Sequence, residues 1–91
     1  MSKPFDMGPF LSAVLKGSHA TRRRHLRQAT IIQAEIAERW QRKTPWSWQR
    51  KHVSWFLENC LDEHSADTRY HYALTVRLLV RRLQKSWIFN V

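Results

Sequence analysis

The sequence predicts an all-α fold, a compact bundle of four to five helices, and three observations predict it. Apolar residues recur at spacings of three and four through most of the chain. No segment alternates apolar and polar residues for long, and the residues that break helices are few. Pro and Gly stand only at Pro4, Gly8, Pro9, Gly17 and Pro45, and no Asn-Gly or Asp-Gly pair marks a hairpin. A hydrophobic content of 43 %, with five Trp, four Phe and two Tyr, supplies one core and excludes the disordered class. The 91 residues make a single domain, read as an N-terminal segment over 1–17 and a helical body over 18–91.

Each element follows from local signals. Phe5, Phe10, Leu11, Val14 and Leu15, bounded by Pro9 and Gly17, predict a short helix over about 9–16. Ser18 or Thr21 can cap the next helix, which runs to about Arg42 with an inner stripe of Leu26, Ala29, Ile32, Ile36 and Trp40. Arg23, Arg24 and Arg27 lie roughly opposite that stripe. Thr44-Pro45 stops one helix and starts another, since the residue before Pro is disfavoured in helical geometry. The third helix, about 46–61, turns Val53, Phe56, Leu57, Cys60 and Leu61 inward and Trp48 and Trp55 to the other side. Ser65 caps a final helix over about 66–86, with Asp67 favourably placed against the dipole. Its core stripe is Tyr72, Val76, Leu79, Val80 and Leu83. Opposite lie Tyr70, Arg77, Arg81 and Lys85, with Leu74 and Leu78 beside them. Apolar on two sides, this helix is expected to be central.

Charge is the strongest functional signal. The formal net charge is +9, and nearly all of it falls on the second and last helices. Residues 18–43 carry seven Lys/Arg against two acids, and 65–91 carry five against one, whereas 44–64 is slightly acidic. Two basic helices flanking a neutral one suggest a clamp for a polyanion, with nucleic acid the leading candidate. One cysteine excludes an internal disulfide, and Arg or Lys interrupts every apolar run before membrane-spanning length. No signal-peptide core follows the N-terminus, so a cytoplasmic location is expected, with no membrane partner.

Three stretches carry a family resemblance: Trp48-Gln-Arg-Lys-His-Val-Ser-Trp-Phe-Leu57, His64-Ser-Ala-Asp-Thr-Arg-Tyr70 and Ala73-Leu-Thr-Val-Arg-Leu-Leu79. Together they resemble the N-terminal, SAM-like core-binding domain of tyrosine recombinases, the phage integrase family, over roughly residues 20–87. His52-Val53 and Phe56-Leu57 match its first helix, Ser65 to Thr68 its loop and cap, and Leu74, Arg77 and Leu78 the long helix that follows. The resemblance implies a small helical bundle seated on one face of duplex DNA, in the bacterial cytosol or nucleoid. It makes Lys51, Thr68, Arg69 and Arg77 phosphate or groove contacts. The family's chemistry belongs to a separate, larger domain with an Arg-His-Arg set and a Tyr nucleophile, which this chain has no room for. A non-catalytic double-stranded DNA binder is therefore expected, an accessory or regulatory factor in recombination or mobile-element maintenance, with a recombinase or a second copy as further partner.

Charge alone nominates Arg22, Arg23, Arg24 and Arg27, whose position at a helix start opposes the dipole. Arg81, Lys85 and Tyr70 join them from the last helix, with Arg77 and Tyr70 as candidates for base edges. Arg77, Arg81 and Lys85 also fit an ordinary exposed helix end, where positive charge is stabilising. Tyr70 and Tyr72 lack the Arg/His set that would activate a nucleophile, so no catalytic residue is expected. His52, Cys60, His64 and His71 match no zinc-site spacing, and Cys60 reads as a buried structural cysteine, so neither a metal nor another cofactor is expected, nor a small-molecule substrate. His25 and His52 are placed at the edge of the core. Trp48 and Trp55 are either covered by Phe5, Phe10 and Leu11 or form an exposed patch for a protein partner, and stacking on single-stranded bases is a third option. The tail Trp87-Ile88-Phe89-Asn90-Val91 either folds back, the favoured reading, or docks Trp87 and Phe89 on another chain. An interaction adaptor built on these aromatics, or an RNA-binding module, is the rival to duplex binding.

Overall fold

The computed structural model describes residues 5–89; Pro4 and the last two tail residues, Asn90 and Val91, lie outside them. The first helix, α1, spans Met7–Leu11 and starts where the Asp6 carboxylate accepts the Gly8 N–H at 3.0 Å. It begins earlier than the apolar spacing suggested because Asp6 supplies the cap. Pro9 then sits in the first turn, where the missing N–H has no intrahelical partner to lose. Met7, Phe10 and Leu11 are buried.

The second helix, α2, spans His19–Trp40. Ser18 Oγ accepts the Thr21 N–H at 3.2 Å and donates to Thr21 Oγ1, so the two candidate cap residues act together. Gly17 at φ 99° makes the turn that precedes this cap, a conformation that side chains with a Cβ rarely adopt. Ala29, Ile32 and Ile36 are fully buried, and His25, Gln28 and Gln33 widen the inner face. Leu26 and Trp40 are half-buried. The helix ends two residues early, at Trp40, where the cap residue Gln41 adopts the left-handed conformation at φ 60° and donates its N–H to Ala37 O.

The expected third helix is split. Pro45–Ser47 form a 3-10 turn, Trp48 is extended and buried, and α3 spans Arg50–Asn59. Burying the Trp48 indole pulls the chain out of helical geometry. The helix restarts when His52 Nδ1 reaches back to accept the Gln49 N–H at 2.9 Å. Val53, Phe56 and Leu61 are buried, while Leu57 and Cys60 are only half-buried.

The last helix, α4, spans Ala66–Leu83 with Ser65 accepting the Thr68 N–H. Its predicted stripe of Tyr72, Val76, Leu79, Val80 and Leu83 is buried in full, joined by Ala73 and Thr75. Gln84 ends it at φ 58°, again left-handed. The described residues contain no strand.

The centre belongs to α2 rather than to α4, since α2 packs against each of the other three helices. A buried polar relay fastens it to α4. Thr75 Oγ1 donates to Gln28 Oε1 at 2.7 Å, and His25 Nδ1 lies 2.8 Å from the same hydroxyl. With the Thr75 proton given to Gln28, the His25 ring donates from Nδ1. The radius of gyration of 12.4 Å is close to the value of about 12 Å for a folded chain of this length. Among the described residues, no helix is long and apolar enough to cross a membrane.

Candidate nucleic-acid interface

The face of α4 turned away from the core carries Tyr70, Arg77 and Arg81, all exposed, with Leu74 and Leu78 half-buried alongside. Arg77 and Arg81 stand one turn apart and form a ridge between two grooves. On one side lies a groove of about 390 Å³ whose walls include Lys16, His25, Leu74, Arg77, Leu78 and Arg81. On the other lies a groove of about 360 Å³ formed with the C-terminal tail, where Lys85 and Trp87 join Arg77 and Arg81. Among the described residues, no carboxylate side chain lines either groove. Cations from the α1–α2 loop, from α4 and from the start of the tail thus border one continuous strip.

The cations of that strip have no carboxylate partner within ion-pair distance among the described residues. Among the described residues the sole ion pair is His71 Nε2 to Asp67 Oδ2 at 3.6 Å, so no Arg or Lys is paired with a carboxylate. Glu35 and Asp62 both act on Cys60, at the end of the molecule where α4 begins; burial first, and then these two carboxylates, push the thiol pKa up. From Ala66 to Arg81 is about 22 Å along the helix, more than twice the screening length at physiological salt.

The remaining nominated residues divide into separate groups. Arg22, Arg23 and Arg24 are consecutive on a helix, so their side chains fan out by about 100° per residue and cannot form one patch. Arg22 and Arg23 are exposed. Arg24 is half-buried beside the relay, its Nε buried without a hydrogen-bond partner, and does not project freely to solvent as the helical stripe implied. Its charge, after burial and together with His71, holds the His25 pKa below its ordinary value. Arg27 lines a shallow groove of its own with Asp6, Leu26 and Ile31. Lys51 lies over the Trp40 ring at 5.6 Å, and Arg39 stacks on that same ring at 4.6 Å. Thr68 is half-buried, and its hydroxyl accepts from Ser65 Oγ at 3.1 Å within the cap. Arg69 is exposed one turn before Ala73, which lines the tail groove. A single concave seat for all these cations is not what the fold builds; Arg77, Arg81 and Lys85 converge, and the α2 set does not.

Two residues of the strip were missed in the sequence. Lys16 stands in a loop with no periodicity to aim it, and its one signal is the Gly17 turn and Ser18 cap that follow. His25 was placed at the core edge, and it is buried while also lining the groove. Arg82, by contrast, is structural. Its guanidinium lies 4.9 Å from Phe10 and 5.0 Å from Trp46, and its Nε donates to Phe10 O at 2.6 Å.

The aromatic candidates also change places. Trp48 is buried, so it offers no surface to a partner. Trp55 is half-buried with its ring edge on Trp40, which covers it in place of the N-terminal segment. Phe10 of that segment packs on Trp46 instead, at 5.0 Å. The described part of the tail, Trp87 to Phe89, folds back: Trp87 and Phe89 are half-buried, Arg50 donates to Ile88 O at 2.9 Å, and its guanidinium lies over Phe89. No group of three His, Cys, Asp or Glu gathers into a metal-binding set among the described residues. Compared with protein-family models, curated proteins and solved structures, the chain matches none of them significantly.

Proposed function

We propose that the protein binds double-stranded DNA without cutting it, using the exposed face of α4 as the main phosphate-contacting surface. One observation carries this reading: Lys16, Arg77 and Arg81 border the same groove, and Lys85 extends the line, with no carboxylate side chain among the described lining residues. Like charges one helical turn apart repel and cost stability, and the negative end of the α4 dipole offsets that cost only in part. A phosphate backbone would offset it, releasing counterions as it binds. Tyr70 and Arg77 on this face are the candidates for base edges, with Arg69 and Lys85 as flanking phosphate contacts. Arg22, Arg23 and Arg27 supply a weaker, peripheral field, and Lys51 and Thr68 have their own structural roles.

The SAM-like core-binding type, an accessory role in site-specific recombination or mobile-element maintenance, and a cytoplasmic or nucleoid location belong to the same reading and rest on the motif resemblance. The adaptor alternative has less support, because Trp48 is buried and the tail lies against the body. The test is charge reversal. Arg77→Glu with Arg81→Glu is expected to abolish the shift of a labelled duplex while the circular dichroism spectrum stays helical. Unchanged duplex affinity with the fold intact would overturn the proposal.

A further inference from the structure

The groove between α4 and the folded-back tail differs from an ordinary phosphate-binding strip in having an apolar floor, Ala73, Val76 and Val80, and an aromatic wall, Trp87. The wall is held in place. Arg50 of α3 ties the tail down through Ile88 O and the Phe89 ring, and Lys85 stands over the Trp87 ring at 6.0 Å. Arg77, Arg81 and Lys85 line the groove. We infer that this groove is a subsite for an unpaired nucleobase with its phosphate attached, the base against Trp87 and the phosphate on Arg77 and Arg81.

The inference rests on the reading of the α4 face as a nucleic-acid surface and names what its tail side recognises. Complementarity of charge and shape selects the occupant. A stacked base pair in a duplex shows only its edges and cannot lay a π face on an indole inside a groove. An unpaired base exposes both faces, and stacking of this kind tolerates any sequence. Cations spaced along the helix at about one turn suit a ligand whose negative charges repeat. A lipid with a single headgroup would use one of them. The volume of about 360 Å³ lies within the range of sites that enclose a small planar group.

The experiment compares a fluorescein-labelled oligo(dT) strand with a labelled duplex, by anisotropy, for the wild type and for Trp87→Leu. Leucine keeps apolar bulk at the wall and removes the π face, so the tail stays packed. Trp87→Phe serves as the variant expected to restore binding. Loss of one stacked base is worth roughly 5- to 150-fold in affinity. Single-strand binding is expected to fall by that factor in Trp87→Leu and to recover in Trp87→Phe, with duplex binding changed less than about twofold. Equal effects on both ligands, or none on either, would overturn the subsite while leaving the α4 face intact. If the wild type binds neither ligand, or binds only vesicles of anionic phospholipid, the subsite and the parent reading both fall.

Discussion

The Nδ1 atom of His52 closes the first turn of α3 by accepting the Gln49 N–H, and that geometry requires the nitrogen to be unprotonated. Burial, then the charges of Arg42 and Lys51, lower the pKa of this ring below its ordinary value of about 6.5. His25 is shifted the same way, by burial, Arg24 and His71. Both rings therefore take up a proton more readily in the unfolded chain. Stability is full above the unfolded pKa and is lost as pH falls from there toward the depressed folded values. The melting temperature is expected to drop between about pH 7.5 and pH 5.5, and His52→Gln, which keeps an acceptor at the same helix position, should flatten part of that drop. An identical pH profile in the variant would contradict the capping role. Gln41 and Gln84 are a second residue-scale case, both left-handed where glycine is the usual occupant. Replacing either by Gly is expected to raise stability by about 1 kcal/mol, read as a higher urea midpoint at unchanged slope.

The end of α4 packs against α1, and Arg82 makes a polar connection between them. Replacing it by Lys removes a planar group that stacks on two rings and donates to Phe10 O, at a cost of about 1–2 kcal/mol. Limited proteolysis should then cut first within residues 5–15, and protection equal to the wild type would show that α1 is held by its apolar contacts alone. At this scale the sequence was most legible where a side chain decides locally. The caps at Ser18 and Ser65, the middle of the α2 stripe (Ala29, Ile32 and Ile36) and the whole α4 stripe could be read directly. Helix ends were harder, because glutamine carries no signal for a left-handed stop. The break before α3 was hidden because it depends on where the Trp48 indole finds room, a tertiary matter that overrides helical spacing. The hub was misplaced for a related reason: α2 buries polar Gln28, Gln33 and His25 on its inner face, so its hydropathy understates its centrality.

Over the whole molecule, the distribution of charge was legible but its arrangement was not. Counting cations per segment identified α2 and α4 as the basic helices. Only packing shows that the two are joined face to face through Thr75, so they cannot act as the opposed jaws of a clamp. Arg77, Arg81 and Lys85 were readable because one helix face and its continuation hold them, whereas Lys16 joins them through the fold of a loop. The strip on α4 predicts that its cations matter more than an equal number on α2. The most direct test is the salt dependence of duplex affinity for the wild type, for Arg77→Gln with Arg81→Gln, and for Arg23→Gln with Arg27→Gln. Each lost phosphate contact lowers the log-log slope by about 0.9. The α4 pair should therefore lower it by nearly two and weaken binding on the order of thirtyfold at physiological salt, with the α2 pair changing both far less. Equal losses from the two pairs, or a slope untouched by the α4 pair, would contradict the account.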